Sequence, residues 1–412
     1  MKIHLGVVAF IGLTLTQAPR LAEACGGCFA PTDTVTSVDA HRMVIALSPE
    51  RTVLWDQIKY TGNPADFVWV LPVPSSDAVV ALADDGFFAR LEAQTAPRVQ
   101  PLRPPTPLFC PDEGGGFGCG GASSAGDDDA YQNTADAGVQ IFNQSVVGPY
   151  ETVTIGSEDA GALQTWLGEH GYAVPVATRP TLMHYIDQKS VFIVLRLRPG
   201  AGVQAMQPVR VTFPGYMATF PLKMVTVGAS AVLELTLWVI ADQRYDAGNY
   251  GTLTIDPKDV TWDWRSNRSD YDTVFRATIE QGGGRAWIAE FAGPETRLPP
   301  ISGTGVGIGN GLGESPDATA ARGTLRVPYV TRLRTRLLPE HLSKDLMLMP
   351  SPLSANIDPV LLAEREINRP AQPRCGNDEG CRLGLGRRAG AAAGPILLLL
   401  AVVLIIRRRT PA

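Results

Sequence analysis

The sequence contains little histidine and lacks the short motifs by which many enzymes are identified. Five of its 412 residues are histidine, and no two of them have the spacing of a metal site on one helix or one hairpin. The serine-hydrolase motif G-x-S-x-G and the zinc-protease motif H-E-x-x-H are both missing. The chain therefore carries no signature of a reaction, and nothing in it indicates a metal or another cofactor.

Positive charge is scarce as well. The formal net charge is −5 at pH 7, and the arginines at 387–388 and 407–409 lie near the C-terminus. The part of the chain between its two ends is therefore more acidic than the total suggests. Because proteins that bind nucleic acid neutralise phosphates with lysine and arginine, this balance argues against a nucleic-acid partner.

Glycine is abundant, but its spacing does not form a nucleotide-binding loop. In Gly303–Gly313 every second residue is glycine, so G-x-G-x-x-G does not occur, and no phosphate-loop lysine follows. We interpret 303–323 as a flexible linker. A second flexible insertion is predicted at 97–138, which is rich in proline, then in glycine and serine, and then in aspartate.

The N-terminus has the three parts of a signal peptide. A lysine follows the initiator methionine, Gly6–Leu15 is a short apolar run, and Ala22 and Ala24 are the small residues that a signal peptidase requires. The run is too short to span a bilayer of roughly 30 Å at about 1.5 Å per residue. We therefore predict that residues 1–24 are removed and that the mature protein begins at Cys25.

The C-terminus is predicted to anchor the protein in a membrane. Residues 389–406 carry no charge and reach the minimum length of a transmembrane helix. Because the signal peptide exports the N-terminus, and because Arg407, Arg408 and Arg409 follow the span, we place the tail in the cytoplasm. The predicted organisation is a signal peptide (1–24), an extracytoplasmic domain (25–368), a polar stalk (369–388), a transmembrane helix (389–406) and a cytoplasmic tail (407–412).

The six cysteines form three close pairs. An even number of cysteines in an exported chain indicates disulfides, but the sequence alone does not fix which residues are joined. We expect the bridges Cys110–Cys119 and Cys375–Cys381, because each pair lies in a flexible segment with no other cysteine nearby.

The remaining pair, Cys25-Gly-Gly-Cys28, admits three interpretations. A thioredoxin-like redox site requires a preceding strand and a helix N-terminus, and nothing upstream of Cys25 can form that strand. A zinc site would use His41, but no second histidine follows at finger spacing. The position of the motif at the start of the mature chain favours a structural bridge or a plain tether.

Alternating apolar residues predict a protein made mainly of β-strands. Strands are predicted at His41–Leu47, Val53–Tyr60 and Asp66–Val73, which are rich in β-branched and aromatic residues. Between residues 191 and 240, three further alternating runs joined by turns predict an antiparallel meander.

Three segments have the pattern of a helix. Asp84 is a candidate N-cap for a helix with Phe87 and Phe88 on one side, Ser157 is a candidate cap for a second helix, and 270–281 is a third. The predicted fold class is α+β, mainly antiparallel β-sheet with two or three packed helices, together with the signal peptide and one C-terminal transmembrane helix.

Several segments together resemble a known bacterial family. They are ACGGCFAP after the signal peptide, WDQIKYTGNPADFVWVLPVPS, VGPYETVTI followed by LQTWLGEHGYAVP, and VTRLRTRLLPEHLSKDLML. They resemble the domain-of-unknown-function family 2330, and the likeness covers about residues 24–349. The resemblance implies no activity for any residue, because the family itself is uncharacterised.

The C-terminal segment resembles a myxobacterial surface-sorting tail. In such tails a cysteine precedes an apolar span and an arginine cluster, and the tail is processed. The matching residues are Cys381, Arg407, Arg408 and Arg409. The resemblance implies processing at Cys381 and display on the surface, and a simple membrane anchor is the other interpretation.

These observations predict an envelope protein, held at a membrane, that binds an envelope protein or a surface ligand. We expect a binding or structural module without enzymatic activity. The alternative is an envelope enzyme, either a thiol–disulfide protein that uses Cys25 and Cys28 or a hydrolase with an unrecognised site. A histidine or carboxylate pair enclosed in one pocket would favour the enzyme.

Overall fold

The computed structural model describes residues 28–29, 41–58, 68–102, 135–136, 138–170, 178–225, 232–299 and 311–370. Within these residues the chain forms 22 β-strands and six α-helices. The strands are β1 (Cys28–Phe29), β2 (His41–Leu47), β3 (Arg51–Ile58), β4 (Val68–Val73), β5 (Val79–Leu82), β6 (Arg98–Pro101), β7 (Ala135–Asp136), β8 (Val139–Val147), β9 (Tyr150–Ser157), β10 (Val191–Leu197), β11 (Val209–Pro214), β12 (Thr219–Phe220), β13 (Leu233–Ala241), β14 (Tyr245–Ala247), β15 (Thr252–Leu253), β16 (Thr261–Asp263), β17 (Arg268–Ser269), β18 (Trp287–Pro294), β19 (Tyr329–Leu337), β20 (Leu346–Pro350), β21 (Val360–Ala363) and β22 (Arg365–Ile367). The helices are α1 (Asp85–Thr95), α2 (Ala160–Glu169), α3 (Arg179–Asp187), α4 (Leu222–Val225), α5 (Tyr271–Gln281) and α6 (Pro316–Arg322).

Most of the longer strands belong to two large sheets. One has six strands in the order β1-β4-β10-β9-β8-β7 and is antiparallel throughout. The other has eight strands in the order β15-β18-β19-β13-β2-β3-β11-β5. It is mixed, because β13 runs parallel to β2 and β15 runs parallel to β18. The remaining strands pair in the smaller sheets β12-β20-β14, β17-β16-β22 and β21-β6.

The two large sheets pack face to face around the main hydrophobic core. Alternate residues from strands of both sheets are buried in one shared apolar cluster, which includes Met43 and Ile45 of β2, Leu71 of β4, Leu195 of β10 and Leu237 of β13. Because successive side chains of a strand point to opposite faces, the residues between these core positions face outward. Those that are apolar must be covered by other elements on the outer face of each sheet.

Helices provide that cover. On the six-stranded sheet, Leu163 of α2 and Leu182 of α3 share a cluster with Val70 and Phe192. On the eight-stranded sheet, α1 and α6 pack over β2, β3 and β13, while α5 packs beside β18. The result is four layers, helix–sheet–sheet–helix. Central strands such as β2 and β4 are buried on both faces, which explains their nearly continuous apolar sequences.

A buried network of charged residues ties α1 and α5 to the eight-stranded sheet. Arg332 of β19 donates to Glu290 of β18 at 2.7 Å and to both carboxylate oxygens of Glu92 of α1 at 2.8 and 3.1 Å. Tyr271 of α5 donates to the second Glu290 oxygen at 3.0 Å. Burial opposes the charge of Glu92, but Arg332 outweighs that effect and lowers the pKa of the carboxyl. Without Arg332, the nearest positive group to Glu290 is Arg334, at 3.7 Å.

A second buried carboxylate fixes α6. Asp317 is 3% exposed and accepts hydrogen bonds from the Trp55 indole at 2.9 Å, the backbone N–H of Asp84 at 2.8 Å and the Arg210 guanidinium at 2.7 Å. One side chain therefore joins α6 to β3, to β11 and to the start of α1.

Several predicted elements are confirmed. β2 has the predicted bounds, and β3 and β4 lie within two residues of theirs. Asp84 caps α1, where its side chain accepts from the backbone N–H of Gly86, and Phe87 and Phe88 are buried beneath that helix. The helix predicted at 270–281 is α5.

The predicted cap of the second helix is one correction. Asp159, rather than Ser157, is the N-cap of α2, because its carboxylate accepts from the backbone N–H of Ala162 at 2.7 Å. The Ser157 hydroxyl, two residues before the N-cap, accepts from the backbone N–H of Asp159 instead.

The predicted antiparallel meander between residues 191 and 240 is wrong. Its strands β10, β11 and β13 do not pair with one another: β10 lies in the six-stranded sheet, and β2 and β3 separate β11 from β13. The strand β13 also runs parallel to its neighbour β2. Alternation specifies which face of a strand is buried, but it does not specify the neighbouring strand.

The number of helices is a further correction, since the described residues contain six rather than two or three. One of them, α6, lies within 303–323, for which a flexible linker was predicted. Its cap is Ser315, which accepts from the backbone N–H of Ala318 at 3.1 Å. In the insertion predicted at 97–138, residues 98–101 form β6, which pairs with β21. Short helices such as α3, α4 and α6 escape detection because they contain too few apolar residues to reveal a helical period.

No helix within the described residues has the length and apolar character needed to cross a membrane. The predicted signal peptide (1–24), the stalk from residue 371 onward, the predicted transmembrane helix (389–406) and the tail (407–412) lie outside the described residues.

Candidate functional site

A cleft on the outer face of the six-stranded sheet is a candidate binding site. The space between its walls is about 520 Å³ when the part open to solvent is counted. Three neighbouring strands, β8, β9 and β10, form its floor, and the end of α2 forms a wall. The lining residues are Ile141, Gln144, Glu151, Thr152, Val153, Trp166, His170, Val194 and Arg196.

The floor of the cleft carries an ion pair. Arg196 and Glu151 lie directly opposite each other on β10 and β9, and the Nε of Arg196 donates to Oε2 of Glu151 at 2.6 Å. The two side chains are 45% and 34% exposed, so solvent screening keeps the pair's contribution to stability below about 1 kcal/mol. Its main effect is to hold a donor and an acceptor in a fixed arrangement.

The wall is an aromatic pair on the last turn of α2. The rings of Trp166 and His170 are stacked, with centroids 3.9 Å apart and planes inclined by 23°. The Nδ1 of His170 lies 2.7 Å from the carbonyl oxygen of Trp166, so in the neutral ring Nδ1 donates and Nε2 is an acceptor. Trp166 is 6% exposed, and its indole N–H has no partner within the described part of the chain.

The cleft combines hydrogen-bonding groups with an apolar surface. Arg196 and Gln144 supply donors, Glu151 and His170 supply acceptors, and Trp166 with its neighbours supplies the apolar part. Because the charges of the ion pair cancel, the arrangement suits an uncharged polar ligand. The described residues contain no group of three or more His, Cys, Asp or Glu side chains that could hold a metal ion.

A second polar site lies inside the sandwich. His41, at the start of β2, and Asp56, near the end of β3, are 2% and 4% exposed. The Nε2 of His41 lies 2.5 Å from Oδ1 of Asp56. His41 is two residues from Met43 on β2, and Asp56 is two residues from Leu54 on β3, so each shares a face with a residue of the core between the sheets. Such an enclosed histidine–carboxylate pair is the feature that we expect of an enzyme rather than of a binding module.

A small cleft, about 270 Å³ when the part open to solvent is counted, has Asp56 among its lining residues. It is lined by Asp56, Trp69, Tyr150, Leu195, Met206, Gln207 and Val209. The Tyr150 hydroxyl donates to the carbonyl oxygen of Gln207 at 2.6 Å and accepts from its N–H at 2.9 Å. Burial raises the pKa of Tyr150 to about 12, so this group stays uncharged at neutral pH.

Strand β1 contains Cys28, the second cysteine of the C-x-x-C motif. Its backbone pairs with β4 so that Cys28 is opposite Trp69, and Trp69 lines the small cleft together with Asp56. In the sequence, His41 stands out only as a zinc ligand, and Asp56 does not stand out at all. The signal that could have found Asp56 is a carboxylate that directly follows the apolar run Val53–Trp55 of β3.

The other predicted site residues lie outside the described residues, so cleavage, disulfide pairing and processing stay predictions. They are Ala22, Ala24, Cys25, Cys110, Cys119, Cys375, Cys381, Arg407, Arg408 and Arg409.

The fold and its two sites define a four-layer α+β domain with an open cleft on one sheet and an enclosed histidine–aspartate pair between the sheets. The chain belongs to the DUF2330 family, described as an uncharacterised protein conserved in bacteria, whose model matches residues 19–349. The resemblance seen in the sequence is thereby confirmed. No curated protein and no solved structure matches the chain.

Proposed function

We propose that this protein is an extracytoplasmic binding module, anchored in the bacterial envelope, that recognises a ligand in the cleft between α2 and the six-stranded sheet. The signal peptide and the apolar C-terminal segment of the sequence support the location. The cleft is the observation that supports binding, because it joins a fixed donor–acceptor pair to an aromatic wall.

The chemistry of the cleft favours a neutral ligand rich in hydroxyl groups, such as a saccharide unit of the envelope. The planar side chains of Arg196, Glu151 and Gln144 offer hydrogen bonds on one side, and hydroxyl groups both donate and accept. The apolar edge formed by Trp166 and Val194 suits the C–H face of a sugar ring. A strongly charged ligand fits less well, since either sign meets a like charge at the floor.

The alternative function, an envelope enzyme, is supported by a different observation. The pair His41–Asp56 is buried within reach of a small cleft, and histidine held by a carboxylate is a common general base. This second site is separate from the cleft on the outer face, because the inner and outer residues of the six-stranded sheet belong to different clusters.

Removing either the donor or the amide at the floor of the cleft should weaken binding. With the neutral disaccharide N,N′-diacetylchitobiose as the probe, we expect Arg196→Gln to raise Kd about tenfold, because a lost hydrogen bond to a charged group is worth about 1.5 kcal/mol. We expect Gln144→Ala to raise Kd about fivefold, because a lost hydrogen bond between neutral groups is worth about 1 kcal/mol. Isothermal titration calorimetry would measure this. The change in Trp166 fluorescence on binding, absent in Trp166→Phe, would place the ligand in the cleft.

The matched control is Arg336→Gln. Arg336 forms a similar cross-strand pair with Glu234, but on the eight-stranded sheet, so its loss should leave Kd unchanged. If the disaccharide does not bind, the ligand class is wrong; if it binds and Arg196→Gln behaves like Arg336→Gln, the site is wrong.

The anchoring is tested by truncation. Deleting all residues after Arg388 should move the protein from the membrane fraction to the soluble extracytoplasmic fraction, because the apolar segment 389–406 is removed. A C-terminal tag that disappears from the mature protein, and reappears in Cys381→Ser, would indicate processing at Cys381. A truncated protein that stays in the membrane fraction would refute the anchor.

A further inference from the structure

The three-stranded sheet β12-β20-β14 carries methionine on its solvent-facing side. Its central strand β20 has Leu346 and Leu348 buried in the core. Met347 and Met349 alternate with them and are 50% and 49% exposed. Polar residues are typical of the solvated face of an antiparallel sheet, so two thioethers in water require a separate explanation. The cleft of the proposed function does not supply one, because it lies on the six-stranded sheet.

The chain next to β20 on one side adds a third methionine. Strand β12 is antiparallel to β20, and the pairing continues past the start of β12, because the Leu348 N–H donates to the Ala218 carbonyl oxygen at 2.8 Å. The next position, Met217, therefore has the register opposite Met349. Directly opposed residues of an antiparallel pair occupy the same face, with Cβ atoms about 4.5–5.5 Å apart. Met217 is partly buried and touches the edge of the main core.

The chain on the other side of β20 makes room for the Met349 thioether. Gly248 directly follows β14, and its N–H donates to the Met347 carbonyl oxygen at 2.8 Å. A Cβ on Gly248 would overlap the sulfur of Met349, so this thioether lies against the glycine. Because the pairing of β14 with β20 places Gly248 in the register opposite Met347, the side chain of Met349 is turned toward Met347. The two sulfurs can therefore approach the same point.

We propose that Met217, Met347 and Met349 form a binding site for a soft monovalent metal ion with the chemistry of Cu(I). Thioether sulfur is a soft, polarisable and uncharged ligand, and such ligands select Cu(I). Methionine is unbranched and has three rotatable bonds, so side chains from adjacent positions of one sheet can converge on one ion. The exposure of two of the three side chains gives the ion a path from solvent.

The carboxylate nearest in register does not turn this face into a site for a hard cation. Asp246 of β14 is directly opposite Met349, but both of its carboxylate oxygens are engaged. One accepts from the Nε of Arg244 at 3.1 Å, and the other accepts from the Ser351 hydroxyl at 2.5 Å. Calcium and magnesium prefer oxygen ligands, and here they meet a carboxylate that is already hydrogen-bonded and paired with an arginine. The arrangement therefore favours a soft ion.

The test follows the methionine methyl groups by NMR in the full chain, labelled with ¹³C at those methyl groups and with any free thiol blocked by N-ethylmaleimide. The probe is Ag(I), a redox-inert ion that shares the ligand preference of Cu(I). We expect the signals of Met217, Met347 and Met349 to shift together and to saturate at one ion per chain. The signal of Met183, which is 39% exposed on α3, should stay in place. Zinc should shift none of them, because its protein ligands are cysteine, histidine and carboxylates.

Substitutions assign the ligands. Met347→Leu and Met349→Leu keep an apolar side chain of similar volume but remove the sulfur. Each should raise the Kd for Ag(I) at least about tenfold, because losing even an outer partner of a metal ligand costs about 10–100-fold in affinity. Gly248→Ala should also weaken binding, because the added Cβ displaces the Met349 thioether, whereas the matched control Met183→Leu should leave Kd unchanged.

Three results would overturn the proposal. The first is a wild-type titration in which fewer than the three expected methyl signals respond to Ag(I). The second is a Met183 signal that shifts as much as theirs, which would show unspecific contact of silver with exposed thioethers. The third is a Kd for Met347→Leu and Met349→Leu that equals the Kd of Met183→Leu. The wild-type titration needs no substitution, so its outcome does not depend on the folding of any variant.

Discussion

Replacing Arg332 with methionine is expected to lower the free energy of unfolding by about 3 kcal/mol, because it breaks a buried ion pair and leaves Glu290 with only the more distant Arg334 and the Tyr271 hydroxyl as partners. Methionine fills similar space but cannot donate to Glu290 or to Glu92. Both Arg332 and Glu290 are 3% exposed, so water cannot replace the lost hydrogen bonds. The measurement is urea-induced unfolding followed by circular dichroism.

The control for this prediction lies on the same strand. Arg336→Met removes an arginine of β19 whose partner Glu234 is at 3.7 Å, and both side chains are 39% exposed, so we expect a loss below about 1 kcal/mol. The pKa of Glu92 is lowered from 4.5 by Arg332. The stabilisation that the Glu92 carboxylate gives the folded state is therefore fully present above pH 4.5 and is lost as the pH falls through the lowered pKa. The difference between wild type and Arg332→Met should therefore shrink in acid, and equal losses in the two variants would refute the prediction.

Replacing Asp317 with alanine is expected to destabilise the protein by about 2–3 kcal/mol, because buried donors are left without an acceptor. The Trp55 indole and the backbone N–H of Asp84 lose their partner, while Arg210, whose side chain is 22% exposed, can turn to water. Since Asp317 joins α6 to the sheet, protection of the α6 amides from hydrogen exchange should fall first.

Two further variants serve as controls for Asp317→Ala. Asp317→Asn keeps one acceptor oxygen but presents an amide donor to the N–H of Asp84, so an intermediate loss is expected. Asp358→Ala removes an aspartate that is 64% exposed and paired with Arg297, and it should change stability by less than about 0.5 kcal/mol. A loss for Asp317→Ala no larger than that of Asp358→Ala would mean that the buried hydrogen bonds contribute little.

The strands and the longer helices could be predicted because each is determined by local pattern. The segment His41–Leu47 and the helix that follows Asp84 carry their own apolar period and their own cap. The order of the strands could not be predicted, because β11 and β13 have the same alternation of apolar and polar residues. Nothing in their sequences indicates that β2 and β3 lie between them. α6 was missed for a related reason: it is held in place by Asp317, whose partners are far away in sequence.

The candidate sites show the same limit more strongly. Cys28 and His41 were visible in the sequence, but Asp56 has no significance until β2 and β3 are paired and buried between two sheets. The cleft could not be predicted from the sequence, because only the register of β10 and β9 brings Arg196 next to Glu151. The sequence pattern also places Trp166 on the apolar face of α2, where a core residue is expected. The physical reason is that a site is assembled by tertiary contacts, whereas sequence periodicity reports local ones.

The position of β2 in the eight-stranded sheet governs the order in which the chain can fold. This early strand pairs on one side with β3, a few residues away, and on the other with β13, which follows roughly 200 residues later. The contact order is consequently high. The chain must lose the entropy of closing this long loop before the hydrogen bonds between β2 and β13 can stabilise it. As the chain is synthesised, β2 and β3 can form a hairpin, but its two outer edges stay unpaired until β11 and β13 follow. Such an exposed edge invites association with other chains, so we expect refolding to be slow and to lose yield steeply as protein concentration rises.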